Sequence, residues 1–434
     1  MLTKGIGIGD VRSRLVRLIP ENGEETRAIR RFFNHRLPRD YAPARAEWLD
    51  IIEANSELWE DVSSPKRELI RSFLNVINLE AVKRLRPSSR FDWSGASVGN
   101  LFLTGYDGQR KTLSHYYGEA DDVNRARLFT GSFEAAVYLL SSICAVPSHS
   151  AVLPVLNSNF AHHIAAGLTD GTVITGQNNI SHPSHPTAAV PVQNLMSQSQ
   201  PQSPGVRLRN ETEEQDKVED ANLPGTLPVL RKPAIAFSKE HEEDLPARIE
   251  RLWYINPYGQ EIRIPANPRV IDAIKDAGCV IYSIGSLFTS LIPSLVLRGV
   301  GEAIASSAVK SKILILNGTL DRETGPSSCP FTAMDFVDAI ASACADSRGL
   351  PKPKEEGWWQ YVTHVIYLDT PSGPKVDRDA FNRVGIETMR LYGRKDEHGK
   401  GGRYDPKALE QALEVLVGRK DLRGDRTRRN TLVT

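Results

Sequence analysis

The apolar positions between residues 267 and 316 predict a helix, a strand, a second helix and a second strand. Apolar residues recur at helical spacing from Val270 to Ile274, and Cys279–Tyr282 is a short apolar run. One helix later the chain enters another apolar run, Lys312–Leu316. Continuous runs of this length are typical of parallel strands that are buried on both faces, so this stretch predicts a βαβ unit with a right-handed crossover.

Helical and strand-like patterns alternate along the rest of the chain. The residues between Glu24 and Arg86 predict three helices whose apolar stripes face a core, and Asp170–Gly171 is a hairpin-turn signal between two alternating segments. Later segments predict, in order, a strand at Arg251–Ile255, a capping box at Thr332–Asp335, a helix at Phe336–Cys344, a strand at His364–Tyr367 and a last helix at Pro406–Val417. This succession predicts one α/β domain with a mostly parallel sheet, flanking helices and one β-hairpin.

Two polar stretches interrupt this pattern. Tyr106–Arg125 is polar and aperiodic between two helical patterns, and we expect it to be an insert. Pro183–Thr226 is rich in Pro, Ser, Gln and acidic residues and cannot bury enough apolar surface to offset its ordering entropy, so we expect most of it to be disordered. The predicted domain therefore comprises residues 1–182 and 227–417, and residues 418–434 are expected to form a frayed basic tail.

The charge balance and the apolar runs exclude several classes of function. The 434 residues include 54 Lys plus Arg against 53 Asp plus Glu, which leaves no electrostatic footprint for nucleic acid or an anionic membrane. No apolar run approaches the ~20 residues of a membrane span, and the N-terminus lacks the apolar core of a signal peptide. The four cysteines lack CxxC spacing and are expected to be free thiols in a reducing compartment. We expect a cytoplasmic globular protein.

Gly285–Ser290 is a candidate anion site because it leaves the first strand of the predicted βαβ unit and enters a helix. Ligands of such sheets bind at the carboxyl ends of strands. Gly285 lets the backbone approach a phosphate closely, and hydroxyls and helix N–H groups can donate to its oxygens; the three hydroxyls are those of Ser286, Thr289 and Ser290. The alternative is that Thr289 or Ser290 only caps the helix. The residues alone leave both interpretations open.

Three further polar positions lie within the first 100 residues. Asp10 precedes an amphipathic run, where it is either a helix N-cap or a carboxylate at the mouth of a ligand site, and spacing alone favours the cap. Arg12 is available for a phosphate under the second interpretation. Asn100 opens another apolar run after Gly99, which suits a tight turn into a buried helix.

Four segments match motifs of one protein family in the same order along the chain. Gly9–Arg12 is similar to Gly-Asp-Ile-Arg, and Ser97–Leu101 is similar to His-Ser-Leu-Gly-Asn-Leu. Ala266–Ile304 matches Asn-Pro, a helix, an apolar strand and then Gly-Pro-Gly-Ser-Leu-Tyr-Thr-Ser. Glu323–Thr324 with Phe331–Ala333 matches Gly-Glu-Thr and Gly-Phe-Thr-Ala. The chain thus resembles the 2-phospho-L-lactate transferase and gluconeogenesis-factor family of the CofD and YvcK type over most of residues 5–180 and 227–417.

The resemblance implies a Rossmann-like sheet that binds a nucleotide diphosphate. Transferase members move phospholactate from a guanosine diphosphate donor onto a deazaflavin precursor with a divalent metal, for which Mg²⁺ is the candidate here. The other branch, whose motif wording is nearer to this chain, resembles a regulatory binder of nucleotide-sugars. Carried over by position, the resemblance implies that Asn100 orients the phosphate and that Asp10 is the metal or acid–base carboxylate. The implied phosphate-binding residues are Arg12, Gly285, Ser286, Thr289 and Ser290.

The chain also departs from the family pattern. Family members begin with a strand and a Gly-Gly-Gly-Thr-Gly loop, and here Met1 lies nine residues before Asp10, so we expect both to be missing. Three functions therefore remain open: a nucleotide-binding transferase of phosphorus-containing groups, a regulatory ligand sensor without turnover, and a degenerate member without a competent site. Homo-oligomerisation is left open as well.

Overall fold

The computed structural model describes residues 8–83, 91–104, 133–156, 162–181, 190–191, 227, 243–395 and 402–429. Packing contacts divide the chain into two compact units, where the sequence predicts one domain. The first comprises Met1–His163, Gln193–Phe237 and Ile255–Gln260, and the second comprises Ile164–Val192, Ser238–Tyr254 and Glu261–Thr434. The insert predicted at 106–125 lies outside the described residues, and so does segment 183–226 apart from residues 190 and 191, so those predictions stay predictions.

The described part of the first unit is helical and confirms the three helices predicted after Glu24. Its hydrophobic core comes from stripes on these helices, which meet around the fully buried Phe32, Phe33 and Trp48. The helices are α1 (Ile8–Arg17), α2 (Glu24–Asn34), α3 (Tyr41–Glu53), α4 (Ser64–Lys83), α5 (Val98–Thr104) and α6 (Phe133–Ile143).

Aromatic pairs fill the centre of the first unit. Trp48 stacks on Trp93 with ring centroids 4.3 Å apart, and Phe32 lies against Trp59 at 4.2 Å. The indole N–H of Trp59 is buried and donates to the carbonyl oxygen of Ile51 at 3.0 Å. These rings therefore bury their apolar faces against one another, and the buried N–H of Trp59 still has a hydrogen-bond acceptor.

A parallel sheet of four strands forms the centre of the second unit and confirms the α/β prediction. The strand order is β6-β7-β8-β9, and every neighbouring pair is parallel. β7 and β8 consist entirely of buried residues, as the continuous apolar runs predict. The strands are β6 (Cys279–Tyr282), β7 (Ser311–Ile315), β8 (His364–Leu368) and β9 (Glu387–Leu391).

β6 differs from the prediction of a strand that is buried on both faces. It is the last strand on its side of the sheet within the described residues, Cys279 and Val280 are only half-buried, and Ile281 is 43% exposed. An apolar run indicates that the side chains of a strand can be buried, but it does not indicate whether the strand has neighbours on one side or on both.

A second sheet includes the predicted hairpin and is larger than that hairpin. Its order is β3-β2-β1-β4-β5, and the β1–β2 turn is closed by Asp170, whose carboxylate accepts from the Thr172 N–H at 2.9 Å. Gly171 lies in the left-handed region, with φ +81°, as the Asp-Gly signal predicts. The strands are β1 (His163–Leu168), β2 (Thr172–Thr175), β3 (Val190–Pro191), β4 (Ile249–Ile255) and β5 (Glu261–Ile262).

Helices flank the parallel sheet of the second unit, and some of them begin at a side-chain cap. Asn267 accepts from the Arg269 N–H at 3.1 Å, and the predicted capping box between Thr332 and Asp335 is present. Among the described residues, no helix has the length and apolar character needed to cross a membrane. The helices are α7 (Gln177–Ser181), α8 (Pro268–Asp276), α9 (Ile292–Leu295), α10 (Val300–Ala305), α11 (Ala333–Ser347), α12 (Arg378–Arg383) and α13 (Pro406–Arg429).

Candidate functional site

The predicted anion loop leaves β6 at the carboxyl edge of the parallel sheet. Tyr282, the last residue of β6, anchors its start because its buried hydroxyl donates to the carbonyl oxygen of Tyr361 at 2.7 Å. Asn317, which follows β7, donates its side-chain amide to the Gly285 carbonyl at 3.3 Å. The loop then continues into a π-helical turn, Leu287–Leu291, and into α9. Contacts with Tyr361, which precedes β8, and with Asn317, which follows β7, therefore fix where the loop begins.

The capping interpretation of this loop is wrong. Neither the π-helical turn nor α9 receives a side-chain cap, and the residue that precedes α9 is Leu291. Pro293 lies in the first turn of α9. Thr289 and Ser290 lie inside the helical turn, where a side chain cannot accept from the N–H groups that follow an N-cap.

The backbone of the π-helical turn does bind an anion, and the anion is the side chain of Glu323. One carboxylate oxygen of Glu323 accepts from the N–H groups of Phe288 and Thr289, both at 2.9 Å. The other oxygen accepts from the Thr289 hydroxyl. Thr289 is buried, and its hydroxyl has the Glu323 carboxylate as its partner, whereas the sequence predicts a phosphate.

A rigid turn after β7 holds Glu323 in this position. Glu323 belongs to a single 3-10 turn, Arg322–Thr324, and Asp321 and Thr324 form a capping box around it. Arg322 donates through Nε to the carbonyl oxygen of Glu243 at 2.6 Å and through Nη1 to that of Asn179 at 2.9 Å. The turn is thus tied both to itself and to neighbouring backbone, which leaves the Glu323 side chain little freedom.

The environment makes the charged form of Glu323 unfavourable. Burial raises the pKa of Glu323 to about 7, and the nearby charge of Asp321 acts in the same direction. The hydrogen bonds from Thr289 and Phe288 act in the opposite direction and lower this pKa. A carboxyl group with this pKa changes its charge near neutral pH, unlike an ordinary surface glutamate.

The first half of the loop carries hydrogen-bond donors that stay available for a ligand. Among the described residues, the N–H groups of Gly285, Ser286 and Leu287 have no hydrogen-bond partner, and the hydroxyls of Ser286 and Ser290 have none either. Gly285, Ser286 and Ser290 are half-buried, so solvent reaches these three residues, whereas Leu287 is buried. A Cβ on Gly285 would lie 3.1 Å from the Ser290 Cβ, so glycine keeps the two ends of the loop close together. This arrangement is able to bind an oxyanion.

Neighbouring segments complete the carboxyl edge of the sheet. Gly318, after β7, packs so closely against residue 402 that an added Cβ would lie 2.2 Å from the Gly402 oxygen. The Thr370 hydroxyl, after β8, donates to the Gly318 carbonyl at 2.5 Å. Residue 402 opens β11 (Gly402–Tyr404), which pairs with β10 (Gly393–Lys395) in a short hairpin. The hairpin therefore packs against the segment that follows β7.

Comparison with known proteins identifies the family. The family model described as "2-phospho-L-lactate transferase CofD" matches residues 2–390. The Saccharomyces cerevisiae protein YNL011C is 35% identical over 403 residues, which cover 89% of this chain and 84% of the yeast protein. The chain belongs to the CofD family.

Two bacterial relatives match shorter stretches of the chain. A protein named "Putative gluconeogenesis factor" from Nostoc sp. is 39% identical over 165 residues, 36% of this chain and 33% of the Nostoc protein. One with the same name from Vibrio cholerae is 29% identical over 29% of this chain and 48% of the relative. A crystal structure of a UPF0052-family protein from Bacillus halodurans aligns with 94% of this chain and 88% of its own, at 17% identity and a TM-score of 0.48.

The remaining residues that the CofD resemblance implies lie in the first unit. Asp10 is the third residue of α1, so it is not the N-cap that its spacing favours, and its side chain lies outside the described part of the structure. Arg12 and Asn100 are in contact, because the Arg12 Nε donates to the Asn100 Oδ1 at 3.0 Å. Arg12 also donates through Nη1 to the Asn34 Oδ1 at 3.1 Å. Arg12 and Asn100 therefore hydrogen-bond to each other, and Gly285–Ser290 lies in the second unit.

The described residues do not assemble a recognisable metal centre. In the ranges given above, no group of three or more His, Cys, Asp or Glu side chains is placed to hold an ion. Both oxygens of Glu323 accept hydrogen bonds from the loop, so this carboxylate does not fit a metal ligand. The expectation of Mg²⁺ at Asp10 stays a prediction.

The sequence pointed to Glu323 without showing what it does. Glu323–Thr324 matches a family motif and follows a predicted strand, which places Glu323 near the right edge of the sheet. Sequence patterns do not reveal that this side chain turns towards the loop after β6, because the contact joins residues that are 34 and 35 positions apart.

Proposed function

We propose that the chain is a nucleotide-diphosphate-binding protein, with a nucleotide-sugar or a guanosine-diphosphate-like ligand, and that Gly285–Ser290 binds its phosphate. The observation that carries the proposal is the set of donors in the first half of this loop. The N–H groups of Gly285, Ser286 and Leu287 and the hydroxyls of Ser286 and Ser290 lie together at the carboxyl edge of a parallel sheet. A phosphate oxygen accepts strongly from donors of both kinds.

The loop is also suited to anions by its backbone direction. The next two N–H groups, those of Phe288 and Thr289, already bind a carboxylate. Backbone N–H groups that converge on one anion show that the turn presents the positive ends of its peptide dipoles on this side. Membership of the CofD family supports a phosphate-containing ligand, because the family description names a phospholactate transferase.

The roles of the first-unit residues remain part of the proposal. Asp10 would supply the carboxylate for a divalent ion, Asn100 would orient the phosphate, and Arg12 would contribute positive charge. When bound, the ion would neutralise phosphate charge. The contact of Arg12 with Asn100 at 3.0 Å indicates a more specific arrangement, in which Arg12 fixes the orientation of the Asn100 amide.

A transferase of phosphorus-containing groups is the second candidate, and the family description favours it. Other relatives are named as gluconeogenesis factors, a name that describes no transferase, and binding without turnover is therefore kept as the alternative. Incubation of the purified chain with a nucleotide donor and candidate acceptors separates the two. A transferase consumes the donor only when an acceptor is present, and a sensor binds the donor and leaves it intact.

The first experiment is isothermal titration of the full chain with uridine and guanosine diphosphates and their sugar conjugates, with and without Mg²⁺. Ser286→Ala and Ser290→Ala each remove one of the proposed hydroxyl donors, and each should weaken binding about 5- to 30-fold if it is worth about 1–2 kcal/mol. The matched control is Ser307→Ala, an exposed serine before β7 and therefore at the opposite edge of the sheet. Equal affinities for all variants, or no binding by a cooperatively folded chain, would remove the proposal.

A further inference from the structure

The loop after β6 has two adjacent sets of donors, and only one of them is open. The open set consists of the N–H groups of residues 285–287 with the hydroxyls of Ser286 and Ser290. The other set consists of the N–H groups of Phe288 and Thr289 with the Thr289 hydroxyl, and Glu323 fills it. The chain thus contains its own anion beside the proposed ligand site.

We propose that Glu323 is the positioning residue of the phosphate loop. It holds the Phe288–Thr289 turn in the shape that directs the open donors towards one phosphate group of the ligand. The ligand part of this inference rests on the proposed function, and the part that concerns loop geometry does not.

The geometry supports this role because Glu323 replaces partners that the helical turn cannot supply. Phe288 and Thr289 lie at the start of the turn, where N–H groups lack an intrahelical acceptor. Both residues are buried, so water cannot act as the acceptor. Without the carboxylate, these N–H groups would have to turn away, and the preceding residues 285–287 would turn with them.

The charged groups around Glu323 leave the loop as its main partner. Arg322 is adjacent in sequence and its charge acts on Glu323, but its guanidinium group donates to the backbone carbonyl oxygens of Asn179, Ile180 and Glu243. Asp321 carries the same charge as Glu323 and caps the turn. Within the described residues Glu323 has no ion pair. Its hydrogen bonds with the loop therefore fix the orientation of both the carboxylate and the loop donors.

The same geometry limits how many anionic groups the loop can bind. The open donors can bind one phosphate group of a ligand. The neighbouring donors cannot bind a second one, because the Glu323 carboxylate already accepts their hydrogen bonds. Removal of the carboxylate should create a second small-anion site of carboxylate shape. An added formate ion is small enough to refill such a space and restores both the charge and the two acceptor oxygens.

The test uses Glu323→Ala and Glu323→Gln in the full chain, with Glu356→Ala as the exposed-glutamate control. The first readout is hydrogen exchange of the peptide that contains the Phe288 and Thr289 amides, which needs no ligand. The second is the affinity for a nucleotide-sugar whose diphosphate does not titrate between pH 6 and pH 8. Glu323→Ala should speed the exchange and weaken binding at least about tenfold, and formate, but not chloride, should reverse both changes. Glu323→Gln should weaken binding without a response to formate, because its side chain fills the space.

Each outcome separates the two proposals. Wild-type exchange in Glu323→Ala, or changes that formate does not reverse, would overturn the positioning role. Formate-reversible exchange in a chain that binds no nucleotide at any pH would retain the role in loop geometry and reject the proposed function. If Glu323→Ala does not fold, Glu323→Gln decides: faster exchange confined to this peptide supports the inference, and unchanged exchange overturns it.

Discussion

The Tyr404 hydroxyl donates to the carbonyl oxygen of Leu316 at 2.7 Å, although the two residues are 88 positions apart. The same hydroxyl lies 3.2 Å from the carbonyl oxygen of Ile366 in the neighbouring strand. Tyr404 ends β11, so this contact fixes the C-terminal hairpin to β7 and β8 near the edge that carries the candidate site. Its hydroxyl is desolvated, and burial raises the pKa of Tyr404.

Removal of this hydroxyl should therefore weaken the second unit. Tyr404→Phe keeps the ring, loses this partly buried hydrogen bond and leaves carbonyl oxygens without that donor, so we expect a loss of about 1–2 kcal/mol in the free energy of unfolding. Tyr392→Phe is the matched control, because Tyr392 is 78% exposed. Urea unfolding of both variants measures the difference. Equal stabilities would show that the hydroxyl contact contributes nothing.

Close packing at Gly318 gives a second prediction. An alanine Cβ would lie 2.2 Å from the Gly402 oxygen, so Gly318→Ala must displace the backbone of the hairpin, at a cost of about 3 kcal/mol. Gly278→Ala is the control, since nothing lies within 4 Å of its added Cβ, and its effect should stay within about 0.5 kcal/mol. Thermal unfolding of the two variants tests the contrast. A Gly318→Ala protein as stable as Gly278→Ala would contradict the close approach.

Glu323 should make stability depend on pH in a defined direction. Its pKa is raised from 4.5 to about 7 in the folded chain, so the folded state binds the proton more tightly than the unfolded state. The stabilisation is fully present below about pH 4.5 and is lost as the pH rises through about 7. The shift corresponds to roughly 3 kcal/mol at most.

Comparison with Glu323→Gln isolates this effect, because glutamine does not titrate. Between pH 5 and pH 8 the wild-type chain should lose stability relative to Glu323→Gln. Glu356→Gln, at an exposed position, should follow the wild type at every pH. A stability difference between wild type and Glu323→Gln that stays constant across this range would show that the carboxyl group has an ordinary pKa.

The parts of the fold that were predictable from the sequence are those that local patterns determine. The βαβ unit, the Asp170–Gly171 hairpin and the Thr332–Asp335 capping box each depend on residues that are close in sequence, and all three are present. The prediction that β6 is buried on both faces was wrong, because an apolar run is the same at the edge and in the centre of a sheet.

In the candidate site, too, the features set by local sequence were predictable and those set by tertiary contacts were not. The loop 285–290 and its place at the carboxyl edge of β6 are local and were predictable. The partner of Thr289 was not, because a hydroxyl that suits phosphate suits a carboxylate equally, and only the fold brings Glu323 to it. The sequence therefore indicated an anion-binding turn and could not show that part of it is already filled.

Arg12 joins three helices of the first unit, which gives the last prediction. Its guanidinium group donates to Asn34 at the end of α2 and to Asn100 in α5, and an added Cβ on Gly99 would lie 2.8 Å from its Cδ. The flat guanidinium group reaches both amide oxygens at once, whereas a lysine ammonium group cannot reproduce this geometry. Arg12→Lys should therefore lower the free energy of unfolding by about 1–2 kcal/mol.

Arg14→Lys on the same helix is the matched control, because Arg14 is exposed, and its effect should stay within about 0.5 kcal/mol. A double-mutant cycle of Arg12→Lys with Asn34→Ala should show a coupling of at least about 0.5 kcal/mol, since the two side chains are in contact. Additive effects would show that the contact contributes nothing to stability. A loss of nucleotide affinity in Arg12→Lys that exceeds its loss in Asn34→Ala would assign Arg12 a role towards the ligand in addition to its role in packing.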